Sequence, residues 1–170
     1  MRSLRGIRFA RFVAFGPVAA MLLLAGCTAD GGGTLTSACG FTTTRPATFG
    51  FSYVAPDATS VGGLSGTYRD PCMGIALRGE GRSLAPVTTS IGPVIPGCVG
   101  TFLLGSQIDY VSLNPARAGS GQAHVFVCDL TPAGPGDGDL MLITIDTGPL
   151  APYVNIGFVQ HGNIVVLQDN

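Results

Sequence analysis

Prolines at Pro46, Pro56, Pro71, Pro86, Pro93, Pro96, Pro115, Pro132, Pro135, Pro149 and Pro152, with glycine dense between them, cut the body of this chain into short pieces. Proline removes a backbone donor, clashes with the preceding helical turn and biases the residue before it toward extended backbone. No piece carries a capped run of about ten or more residues with apolar side chains at i, i+3 and i+4. The pieces carry period-two alternation instead. In Ala47 to Val54, ATFGFSYV, Phe49, Phe51 and Tyr53 share one face while Thr48, Gly50 and Ser52 share the other, which is the pattern of a half-buried strand.

Further strands are expected at Leu64 to Asp70, Gly74 to Glu80, Val99 to Leu104, Gln107 to Leu113, Gln122 to Leu130, Leu140 to Asp146, Tyr153 to Val159 and Asn163 to Gln168. Breakers such as Asp70-Pro71, Pro96-Gly97, Asn114-Pro115, Pro132 to Gly138 and Gly148-Pro149 separate them. About eight to nine short strands at this spacing predict an all-β body, an antiparallel β-sandwich or small barrel. The last piece, Phe158 to Leu167, reads as a hairpin turning at Gln160 to Asn163, with Gly162 at positive φ.

The first 26 residues have a different grammar. Arg2, Arg5, Arg8 and Arg11 precede the apolar run FVAFGPVAAMLLL, Phe12 to Leu24. That run fits a secretory signal better than a membrane span, which takes about 20 apolar residues. The junction Leu24-Ala25-Gly26-Cys27 resembles the lipobox of bacterial lipoproteins. The resemblance implies a diacylglycerol on the Cys27 thiol, cleavage just before it and acylation (palmitate-type chains) of the new amino terminus. Two or more acyl chains anchor stably where one binds marginally. The expected organisation is a signal peptide over 1–26, a lipidated Cys27 and flexible Gly/Thr-rich tether over 27–46, and one β-domain over 47–170. The protein would be exported and lipid-anchored to a bacterial membrane, facing the periplasm or the cell exterior.

Without the leader, five arginines (Arg45, Arg69, Arg78, Arg82, Arg117) stand against ten acids, a net charge of −5. No basic cluster is left to contact a phosphate backbone, so nucleic acid is not an expected partner. Glycine and proline make up 34 of the 144 mature residues, near the range of disordered chains. The runs of Val, Ile, Phe and Tyr point instead to a folded body with many turns. With Cys27 assigned to lipid, Cys39, Cys72, Cys98 and Cys128 remain. An even number in an exported chain reads as two disulfides, and C-x2-C zinc spacings are absent. Three connectivities are open. The expected one joins Cys72 to Cys98 across the Pro-rich excursion, and Cys39 to Cys128.

Over the body, ATFGF, Gly66-Thr67-Tyr68-Arg69-Asp70-Pro71, Arg78-Gly79 and Phe126-Val127-Cys128-Asp129 resemble a small β-domain of bacterial secreted proteins that often follows choice-of-anchor modules. Pro135-Gly136, Asp139 to Ile145 and Gly162 to Val166 extend that resemblance. It spans about Ala47 to Asp169 and is weakest from Ser83 to Cys98. It implies an all-β extracellular module without an established activity, so no catalytic residue is carried over.

Chemistry-bearing residues are few. His124 and His161 have no second ligand at metal spacing, and a catalytic histidine needs an orienting partner; His124 is expected on a strand and His161 in a turn. Asp137 and Asp139, with Asp129 and Asp146 nearby, are weak calcium candidates, because calcium takes six or more oxygens. Arg69, Asp70, Arg78 and Glu80 are expected as cross-strand charge pairs. No cofactor is expected. The functional expectation is a non-catalytic β-module for binding an envelope protein or glycan, or for envelope structure. The rival is a secreted hydrolase or carbohydrate-active domain with Glu80, the chain's one Glu, and an Asp as acid and base.

Overall fold

Alternation along the sequence becomes nine strands in the computed structural model, which describes residues 27–40, 45–55, 62–83, 103–130 and 138–168. They are β1 (Cys27–Leu35), β2 (Ala47–Ala55), β3 (Gly63–Asp70), β4 (Ile75–Ser83), β5 (Leu103–Ser112), β6 (Ser120–Cys128), β7 (Leu140–Ile145), β8 (Tyr153–Phe158) and β9 (His161–Gln168). One 3-10 turn, Pro115–Arg117, is capped by the Asn114 side chain, which accepts from the Ala116 N–H at 3.0 Å. Every pairing is antiparallel, in a single sheet ordered β8-β7-β6-β5-β4-β3-β2-β1-β9. The fold is therefore all-β, and it is one curled sheet, a half-barrel, in place of two stacked sheets.

One face of the sheet turns inward. Phe49 and Tyr53 of β2, Leu64 and Tyr68 of β3, Leu77 of β4, Ile108 and Tyr110 of β5, Val125 of β6 and Ile143 of β7 build one core with Ile164 and Val166 of β9. Each such side chain contributes about 1.5–3 kcal/mol when removed from water. One hollow lined by described core residues, among them Phe49, Leu64, Tyr68 and Ile143, has about 20 Å³, room for about one water. Small residues admit the large ones: a Cβ on Gly79 would lie 2.5 Å from Cδ1 of Ile108.

Three expectations are corrected here. The segment expected as a flexible tether contains β1, paired with β2 on one edge and β9 on the other. Its glycines read as linker by composition, yet a Cβ on Gly31 would collide with the Phe51 ring and stand 3.1 Å from Ile164. Gly31 is a hole in the sheet for these side chains, and Gly33 one for Val159 and the His161 carbonyl.

The closing hairpin is also absent. β8 pairs with β7, and β9, two residues later, pairs with β1, so these consecutive strands are the two edges of the sheet. Turn-like residues there mark a change of partner. Gly162 does have a positive φ, 112°, and a Cβ on it would collide with the Gly32 carbonyl of β1. The link between them carries both ladders on: Val159 N–H donates to the Asp139 carbonyl before β7 at 2.7 Å, and Gln160 N–H to the Thr34 carbonyl of β1 at 2.9 Å.

The cysteine pairing differs as well. Cys39 bonds to Cys72, with Cα atoms 6.2 Å apart. Chain direction explains it. β1 and β3 run the same way, so the residues after each arrive at one rim, whereas Cys128 ends β6 at the opposite rim, across from Leu103. A Cys39 to Cys128 bridge would have to cross the height of the sheet. Cys128 is itself disulfide-bonded, and Cys98 lies outside the described residues. Most of the expected Val99 to Leu104 strand also lies outside them; from Leu103 it runs on into β5.

Candidate functional site

The outward face of β4, β5 and β6 gathers the polar side chains that the core excludes. In register, Glu80 stands opposite Asp109 and Arg78 opposite Val111, while Asp109 stands opposite Gln122 and Gln107 opposite His124. Arg78, Glu80, Asp109, Val111 and Leu113 line an open groove of about 650 Å³. A second hollow of about 370 Å³, lined by Gly81, Gln107, Asp109 and Gln122, shares Asp109 with it. Like charges directly opposite destabilise a strand pair. The Arg78 guanidinium offsets this by bonding Glu80 at 3.1 Å along the same strand, and Gln122 Nε2 donates to Asp109 Oδ1 at 3.4 Å. The Arg78 and Glu80 side chains are 66% and 68% exposed, so this pair adds little stability.

Next to the groove, Nδ1 of His124 lies 2.6 Å from Oδ2 of Asp146. A carboxylate orients a histidine in this way in nucleophilic sites, but among the described residues no serine, threonine or cysteine hydrogen-bonds His124. His161, expected in a turn, is the exposed first residue of β9, opposite Thr34.

The cross-strand charge pairs expected around Asp70 do not form. Arg69 stands between Thr48 and Ala76, Arg78 pairs within β4, and Asp70 is fully buried. Asp70 Oδ1 accepts from Ser37 Oγ at 2.6 Å, Cys72 N–H at 3.2 Å and Met73 N–H at 3.4 Å. Its Oδ2 accepts from Ala38 N–H at 3.0 Å and the Tyr153 hydroxyl at 2.9 Å. Because Tyr153 donates to Asp70, its oxygen is the acceptor for the Tyr68 hydroxyl at 2.7 Å, and Tyr68 in turn accepts from Asn155 Nδ2 at 2.7 Å. The chain of donors runs Asn155, Tyr68, Tyr153, Asp70. Burial pushes the Tyr68 hydroxyl up to about 12. Burial, then the neighbouring Tyr68 and Asp70, pushes Tyr153 higher still. Both phenols stay protonated as donors. With the Cys39–Cys72 bond beside it, this cluster ties the residues after β1 to the β3–β4 turn and to β8.

Asp139, expected as a weak calcium ligand, has another task. Its Oδ1 accepts from Leu130 N–H at 3.2 Å and its Oδ2 from Ile164 N–H at 2.7 Å, while Asp129 Oδ2 accepts from Val166 N–H at 3.0 Å. Ile164 and Val166 present the edge of β9 that has no strand partner, so the two buried aspartates replace a missing ladder. Asp137 lies outside the described residues. Among the described residues no group of three or more His, Cys, Asp or Glu is arranged to hold a metal ion.

The Asp70 cluster and the aspartate seam were missed by the sequence reading. Their one available signal was an aspartate at an inward strand position or strand end, next to apolar residues. Compared with protein-family models, curated proteins and solved structures, the chain matches none of them.

Proposed function

We propose that the protein is an exported lipoprotein, anchored through Cys27, whose barrel-like body is a non-catalytic module binding an envelope protein or glycan through the outer groove of β4 to β6. The lipobox-like leader supports the anchor. For the binding module, the carrying observation, set against a hollow of only about 20 Å³ among the described core residues, is the open outer wall. Its carboxylates, amides and arginine (Glu80, Asp109, Gln107, Gln122, Arg78) suit hydroxyl and amide groups of a partner. Cross-linking in intact cells with the full chain, followed by capture, tests it. The same partner should be captured by the native protein and lost with Asp109→Arg. Equal capture by both would reject the groove as the binding surface.

One observation favours a second reading. Glu80 and Asp109 stand opposite each other on the neighbouring strands β4 and β5, and a carboxylate pair is what a glycoside hydrolase uses as acid and base. Hydrolysis of envelope glycans that is lost with Glu80→Gln, against no hydrolysis by either form, separates the two.

A further inference from the structure

Cys27 is not held away from the body. It opens β1 between Ala55 of β2 and Gln168 of β9, and Thr28 sits between Val54 and Leu167. Resting on the lipid-anchor reading above, we infer that the rim where β1 begins sits in the headgroup layer of the bilayer, with Val54 against lipid. A strand hydrogen-bonded along both edges cannot serve as a spacer without giving up two ladders. The anchored residue therefore lies at the rim itself, with no spacer between it and the body. The mature net charge of −5 gives no general attraction to anionic lipid, and the rim offers an exposed apolar side chain instead. Val54, outward on β2 beside Thr28, is 60% exposed.

The orientation of the rest follows. The opposite rim, with Cys39–Cys72, Met73, Leu113 and the Pro115–Arg117 turn, points away from the membrane. The ten residues of β5 place Leu113 about 20–25 Å from the anchored rim, allowing for barrel tilt. The groove on β4 to β6 lies along the wall between, open to a partner in the aqueous space.

The chain has no tryptophan, so single reporters settle the orientation. Full-length Val54→Trp and Leu113→Trp proteins are purified with their acyl chains and reconstituted in phosphatidylcholine vesicles carrying a headgroup nitroxide. Gly63→Trp is a second rim reporter, because a Cβ there meets nothing within 4 Å. The two rim reporters should lose most of their fluorescence and Leu113→Trp should keep it. Unquenched rim reporters, or equal quenching of Leu113→Trp, in protein whose Cys27 peptide carries acyl chains by mass overturns the orientation and leaves the anchor standing. A Cys27 without acyl chains overturns both.

Discussion

Replacing Asp70 by Asn should remove much of the stability of the fold. The side chain keeps its shape, but one carboxylate oxygen becomes an NH₂ donor among five donors, Ser37 Oγ, the N–H groups of Ala38, Cys72 and Met73, and the Tyr153 hydroxyl. The best orientation keeps the amide oxygen toward Ser37, Cys72 and Met73 and turns the NH₂ toward Ala38 and Tyr153. Two buried donors are then orphaned at about 1–3 kcal/mol each, and three charge-assisted bonds weaken by about 1 kcal/mol each. Relief from burying a carboxylate offsets part of this. The net loss should be about 3–5 kcal/mol, a large share of the about 5–15 kcal/mol typical of a domain. Equilibrium unfolding of the leaderless chain, residues 27–170 with Cys27→Ser and disulfides intact, measures it. Tyr153→Phe alone should cost about 1–2 kcal/mol. The double variant should cost less than the two singles together, because the Asn NH₂ no longer opposes a hydroxyl. A loss under about 1 kcal/mol for Asp70→Asn would refute the convergence of the network on this carboxylate.

Three other outcomes are expected. Tyr68 titrates near 12 in the fold against 10.0 unfolded; the folded state holds the proton more tightly, so its contribution is complete below pH 10. It is lost as pH rises from 10 to 12, at about 1.4 kcal/mol per unit, and denaturation midpoints that stay level across that window would contradict this. Peptide mapping without reduction should recover Cys39–Cys72 and Cys98–Cys128; a Cys72–Cys98 peptide would contradict the rim argument. Gly79→Val should destabilise by about 1–3 kcal/mol through overpacking against Ile108, partly relieved in the Ile108→Ala background, and equal losses in both backgrounds would contradict the packing.

The inward-facing residues of β2 to β8 were legible because a buried face must repeat every second residue, and Phe49, Tyr53, Leu64, Tyr68, Ile143 and Tyr153 do so. β1 was not. Its inward positions include Gly31, which leaves space for Phe51 and Ile164, and Gly33, which leaves space for the His161 carbonyl and Val159, and composition alone cannot separate that from a linker. The end of the chain misled for a related reason: Gln160 to Asn163 has turn chemistry, but the bend serves to change partners from β7 to β1, a long-range fact. Counting strands up and down would have placed Cys39 and Cys72 at one rim, had β1 been recognised. Asp70 and Asp139 looked like surface charges because sequence gives charge without burial. The outer groove was half legible: Glu80 was singled out from the sequence, while Asp109 as its neighbour emerged only from the β4–β5 register.

The proposed orientation of the rim at the membrane depends on Cys27 being both the first residue of the mature protein and its point of attachment. Mass spectrometry of the amino-terminal peptide from a membrane fraction tests it directly. A mature chain beginning at Cys27 and carrying diacylglycerol plus an amide-linked acyl chain is the predicted result. An unmodified Cys27, or a mature start at any other residue, would contradict it.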